Sequence, residues 1–167
     1  MASATTDAPQ LDELANRLEN STPPQELHAL SEAVAAFETS VQDDATRHAC
    51  TSITHRLVDL RLTAPVVTAT ILARLRRLNL ISADAMAHAY DREVTALVEG
   101  MIRLDELQWG SLGGESSENL RRMFMAMAAD IRVVLMMLAT QVEKMRRLRS
   151  LPEEERDSLA METMDVF

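Results

Sequence analysis

The sequence predicts an all-α fold of about eight helices. Three observations lead there. The 167 residues include only four glycines and five prolines, too few for the turns of a β-rich fold, and no clear alternating apolar–polar run occurs. Aromatic residues make up only 3% while methionine and alanine are abundant, which suits helices packed through flexible side chains. Apolar residues also recur at steps of three and four. They are densest from Ser117 to Leu148, at Leu120, Phe124, Met127, Ile131, Val134, Leu138, Val142, Met145 and Leu148. From Ile131 to Ala139 the one polar residue is Arg132. A helix apolar nearly all round has neighbours on several sides, so this stretch is expected at the centre of the domain. On periodicity alone, Val133 to Met137 could be a buried strand. The length of the segment and its flanking Ala, Met and Arg favour helix. Asp130 is expected to cap a second helix there.

The other elements follow in order. Residues 1–10, small, polar and with Pro9 near their end, are expected to be a disordered tail. Leu11, Leu14 and Leu18 mark a short amphipathic helix, and Ser21 to Pro24 stops it. The next helix shows Leu27, Leu30, Val34 and Phe37 on one face. Asp43 or Asp44 caps a third, running to about Leu60. Thr63 offers a capping hydroxyl to a fourth, with Pro65 in its first turn, where the missing N–H costs nothing. That helix should be buried as far as Leu72 and exposed at its arginine-rich end. Ser82 caps a short helix through Ala89, and Tyr90-Asp91 turns into another ending near Leu107. Gln108 to Ser116 holds three of the four glycines and is expected to be a mobile loop. Pro152 breaks the chain before a last helix with glutamates in its first turn.

Composition narrows the function. An apolar content of 47% excludes an intrinsically disordered chain, and the length suits one domain. A net charge of −9 argues against general affinity for nucleic acid or anionic membranes. The charge is uneven, with basic clusters at Arg74, Arg76 and Arg77 and at Lys144, Arg146, Arg147 and Arg149, so contact with RNA or the ribosome stays open. A single cysteine, Cys50, excludes an internal disulfide and a cysteine-based zinc site. No apolar run reaches membrane-spanning length and no signal-peptide core is seen, so no membrane partner is expected and the expected compartment is the cytoplasm.

The stretch Glu118 to Leu148, with Asp91 to Leu107 upstream, resembles the signature region of the RelA/SpoT family of (p)ppGpp synthetases and hydrolases. The similarity runs from about Leu57 to Phe167 and is strongest from Asp91 onward. It implies an HD-domain-like helical bundle over residues 11–167. Family hydrolases hold one divalent metal, usually manganese, with a histidine, a His-Asp pair and a distant Asp. The metal activates a water, and a nearby Glu-Asp pair positions it. The resemblance places the first histidine on Ala49, or on His48 if the register shifts by one. It places the His-Asp pair on Ala73-Arg74, the Glu-Asp pair on Arg77-Leu78 and the distant Asp on Thr140. A following His-Asn pair falls on Glu143-Lys144. Alanine donates no lone pair, and a guanidinium carries a permanent positive charge where a dication would sit. No metal and no cofactor is therefore expected. The family's nucleotide-holding segment before Ala49 is also replaced, by Ser40 to Arg47.

This pattern resembles the inactive N-terminal hydrolase domain of the synthetase-only RelA branch. The chain stops at Phe167, where the family leads on into a synthetase domain, so an excised domain or a truncated reading frame is expected, unable to make (p)ppGpp by itself. The expected function is regulatory or structural, acting on a synthetase domain in cis or in trans through the last helix and the residues near Phe167. Two alternatives stand beside it: a live metal-dependent (p)ppGpp 3′-pyrophosphohydrolase with unusual ligands, and a free-standing helical protein that modulates a stringent-response enzyme in trans. Arg74, Arg77 and Lys144 are candidate anion-binding residues, with a guanine nucleotide as candidate ligand; solvated helix ends would carry the same residues. Asp44 and His48 have the i, i+4 spacing of a metal half-site, whereas His48 and His55 lie two turns, roughly 10 Å, apart and cannot share one ion.

Overall fold

A computed structural model describes residues 11–110, 130–148, 153 and 156–157. Among them are seven α-helices, one short 3₁₀ turn and no strand. The helices are α1 (Asp12–Leu18), α2 (Pro24–Ser40), α3 (Asp44–Asp59), α4 (Ala64–Arg77), α5 (Ala83–Ala89), α6 (Arg92–Gly110) and α7 (Ile131–Arg146). The tail at 1–10, the helix expected from Ser117 to Ala129 and nearly all of the last helix lie outside the described residues.

Among the described residues the central helix is α4; of the segment the apolar density favours, residues 117–129 lie outside them. α4 packs against α2, α3, α6 and α7. Every residue from Ala64 to Ala73 is buried, as is Leu75. The reason lies in side-chain size. Ala, Val, Thr, Ile and Leu surround α4, so neighbours approach closely on every side. Burial also reaches further than expected: Leu75 is in the core, and Arg74, Arg76 and Arg77 are half-buried rather than exposed. Among the described elements α7 packs against α3, α6 and α4. Its inward residues are Val133, Met136, Met137, Ala139, Gln141 and Glu143. Of the stripe expected to face inward, Ile131, Leu138 and Val142 are exposed.

Capping explains most of the boundaries. Asp43 accepts from the Thr46 N–H at 2.7 Å, Ser82 from Ala85 at 3.1 Å, Asp91 from Val94 at 2.9 Å and Asp130 from Arg132 at 2.9 Å. Each supplies an acceptor to one of the orphan N–H groups of a first turn. Thr63 precedes α4 as expected, but its hydroxyl makes no capping bond. α3 and α4 end alike. Arg61 and Asn79 adopt positive φ, 61° and 57°. The following N–H of Leu62 reaches Leu57 O at 3.0 Å, and that of Leu80 reaches Leu75 O at 2.9 Å. Both are Schellman stops, built without glycine. α6 continues to Gly110, so the start of the expected mobile loop is helical.

α6 and α7 touch closely at Gly100. A Cβ there would lie 3.0 Å from Val133 Cγ2 and 3.3 Å from Cγ1. Alanine in a helix interior normally gains up to about 1 kcal/mol over glycine. Here Val133 would have to yield within a packed seam. Gly100→Ala is expected to lower stability by about 1 kcal/mol in urea unfolding. In a Val133→Ala background the same change should raise it. Stabilisation in both backgrounds would show that the seam is loose.

Candidate functional site

Three helices carry the positions at which the resemblance leads one to expect metal ligands, and they pack on one another: α3 with Ala49, α4 with Ala73 and Arg74, and α7 with Thr140. Ala49 and Ala73 are buried, 7% and 2% exposed, so methyl groups fill the space. Thr140 is half-buried and its hydroxyl donates to Met136 O at 2.9 Å, a bond within its own helix. His48 is exposed. Among the described residues no three of His, Cys, Asp or Glu stand together as metal ligands would. Methyls, a hydroxyl turned to its own backbone and a guanidinium do not suit a divalent cation, which needs several lone-pair donors.

Arg74 is the most unusual group in the site. Its Nε is buried and has no hydrogen-bond partner. No carboxylate among the described residues pairs with it, although buried guanidinium groups normally have one. Burial above all lowers its affinity for its proton, and the nearby Arg77 and Arg147 charges add to this. Opposite stands Cys50, 3% exposed, its thiol pushed up to about 12 by burial, with Arg74 opposing the shift.

Arg77 is engaged differently. Its guanidinium pairs with Asp105 on α6, both side chains being about four-fifths covered. Burial raises the Asp105 carboxyl, opposed chiefly by Arg77 and then by Lys144 and Arg74. Beside the pair lies a groove of about 440 Å³ lined by Arg76, Arg77, Asn79, Ile102, Asp105 and Glu106. Asp105 carries no motif that singles it out in the sequence. Its one signal is its phase: it sits four residues after Met101, on the face of α6 that buries Leu97, Met101 and Leu104.

A second polar cluster is equally silent in the sequence. Glu143, only 5% exposed, accepts a 2.6 Å hydrogen bond from Ser52 Oγ and faces Arg56 Nη2 at 3.7 Å. It ties α7 to α3 one turn beyond Thr140. Lys144, the next residue, carries a charge that helps to hold the Asp105 carboxyl down. Arg147, at the C-cap of α7, donates to Ala45 O at 3.1 Å and stands near both Arg74 and Asp43. The structure therefore gathers Arg74, Arg77, Lys144 and Arg147 where α4 and α7 end, against the carboxylates of Asp43 and Asp105.

A helical bundle with this order of elements is what an HD domain builds. The chain belongs to the HD-domain family, whose pattern matches residues 27–167. Within that family its relatives are of the RelA/SpoT kind. A probable guanosine-3′,5′-bis(diphosphate) 3′-pyrophosphohydrolase of Synechocystis sp. is 39% identical over 87 residues, covering 52% of this chain and 11% of that protein. The bifunctional (p)ppGpp synthase/hydrolase SpoT of Escherichia coli is 39% identical over 82 residues, 49% of this chain and 12% of that protein. A GTP pyrophosphokinase of Brucella ovis is 39% identical over 75 residues, 45% of this chain and 10% of that protein. The matched part is thus about a tenth of each relative's length. No helix among the described residues is long and apolar enough to cross a membrane.

Proposed function

We propose that this chain is a non-catalytic HD-type domain of (p)ppGpp metabolism, regulating a (p)ppGpp synthetase domain in cis or in trans from the cytoplasm. One observation carries the reading. The half-buried guanidinium of Arg74, at the position where the resemblance expects the metal-holding His-Asp pair, follows Ala73, which is sealed in the core. A fixed positive charge there repels a dication by about 8 kcal/mol at about 4 Å and an effective dielectric near 20. Without a metal the water that attacks the 3′-pyrophosphate stays near its ordinary acidity and is a poor nucleophile. The exposed side of α7, with Ile131, Leu138 and Val142, supports a role exerted through packing, because apolar side chains gathered on one helix face suit a protein contact.

The test is direct. The chain is incubated with guanosine-3′,5′-bis(diphosphate) and manganese, and GDP and pyrophosphate are measured. No release above the protein-free control is expected. Turnover at a rate typical of enzymes, on the order of 1 s⁻¹ or more, would overturn the reading in favour of a live hydrolase with unusual ligands.

A further inference from the structure

We propose that the Arg74 guanidinium, with the Arg147 charge near it, is a binding site for a multiply charged phosphate group. The inference deepens the non-catalytic reading by giving the altered site a ligand. It rests on three observations.

Arg74 has a buried Nε with no hydrogen-bond partner and no paired carboxylate among the described residues, so part of its donor fork is unanswered. That fork matches the oxygens of a phosphate in planar, bidentate fashion. The neighbourhood is also positive. Arg77 and Arg147 stand close enough to depress Arg74; the Asp43 carboxylate opposes them last and least while capping α3 through Thr46, and Asp105 is paired with Arg77. Like charges held together in a partly buried place cost stability unless an anion joins them. Finally, the chain as a whole carries a net charge of −9, so a local gathering of cations is not a by-product of a basic composition.

The position of the pair Arg77–Asp105 sharpens the assignment. With its charge offset by Asp105, Arg77 leaves Arg74 as the centre, and the groove lined by Arg76, Arg77, Asn79, Ile102, Asp105 and Glu106 begins one helical turn on, at Arg77. The shared chemistry is a phosphate group. Inorganic pyrophosphate and a nucleoside di- or polyphosphate both present it.

Calorimetric titration and thermal melting of the full chain test the site, using pyrophosphate, GDP, GTP and ADP at constant ionic strength, with chloride as the control. Saturable binding below about 1 mM is expected for at least one of them. Arg74→Gln should weaken it at least tenfold, and Arg74→Lys, which keeps the charge but loses the fork, by less. Arg74→Gln should also melt at or above the wild-type temperature without ligand, and lose the upward shift that phosphate gives the wild type. That combination separates a ligand site from a structural arginine, whose removal would lower the melting temperature. Should Arg74→Gln fail to fold, the Arg74→Lys titration decides. Pyrophosphate binding as tightly as the nucleotides would make phosphate alone the ligand, and tighter nucleotide binding would bring in the groove. Absence of saturation at several millimolar, equal binding by the variants, or an equal shift from chloride would each overturn the proposal. Cleavage of the bis(diphosphate) would instead sink the non-catalytic reading, and leave binding at Arg74 to these titrations.

Discussion

Glu143→Ala is expected to lower the unfolding free energy by about 3 kcal/mol, measured by urea denaturation. The carboxylate is 5% exposed and lies between α7 and α3. Its removal strips Ser52 Oγ of the acceptor at 2.6 Å and Arg56 of the counter-charge at 3.7 Å. Arg56 is itself 23% exposed along its side chain, and its Nε is buried without a partner. The loss is therefore mainly the stranding of a guanidinium in low dielectric rather than the worth of the contact. Partial access of Arg56 to water puts the figure at the low end for a broken buried pair. Glu143→Gln, which keeps an acceptor for Ser52, should cost about half as much. In an Arg56→Ala background Glu143→Ala should cost at least about 1 kcal/mol less, the signature of coupled neighbours. An Ala variant within about 0.5 kcal/mol of the wild type would mean that the carboxylate is solvated and holds nothing together.

The second large effect appears at alkaline pH. Burial pushes the Cys50 thiol up to about 12, from 9.0 for the unperturbed group. The sign follows from proton binding. Between these values the unfolded chain releases the thiol proton and the folded chain keeps it, so the folded state binds more protons there. Stability from this group is fully present below pH 9, falls by up to about 1.4 kcal/mol per pH unit above it, and is lost by pH 12. The total is on the order of 4 kcal/mol. Cys50→Ala should flatten the slope of unfolding free energy against pH by one proton across that window, whatever it does to stability at neutral pH. An unchanged slope would show that water reaches the sulfur in the native state.

Much of the bundle is legible in the amino-acid sequence. Asp43, Ser82 and Asp130 announce helix starts because a short acceptor before a periodic apolar run has one good use. Leu11, Leu14 and Leu18, and Leu30, Val34 and Phe37, have the spacing of buried faces and are buried. The centre of the domain is not legible. Hydrophobic density points to residues 117–148, whereas among the described residues α4 lies in the middle, since small and branched side chains admit neighbours on all sides. Periodicity misassigns the inward side of α7 for a related reason. It counts apolar residues, but Gln141 and Glu143 point inward, and α3 supplies Ser52 and Arg56 to satisfy the carboxylate. Partners that lie 91 residues away in sequence leave no local trace. The site divides similarly. Ala49, Ala73, Arg74 and Thr140 can be found by matching residues to a family pattern. The Arg77–Asp105 pair and the approach of Arg147 to Arg74 need the packing of α4 on α6 and α7.

At the entry to α7, Asp130 accepts from the Arg132 N–H at 2.9 Å, and its carboxylate also takes the Arg132 side chain, at 2.6 Å from Nη2. The same guanidinium meets Glu93 on α6. A helix seated this way is clocked from its entry as well as along its length: the charged latch at the rim and the buried Val133, Met136, Met137, Gln141 and Glu143 index its rotation together. Enriching the outer flank with larger hydrocarbons would not roll the rod inward; it would enlarge a greasy strip facing solvent. Evolution can therefore redesign that strip for new company while the interior keeps its register.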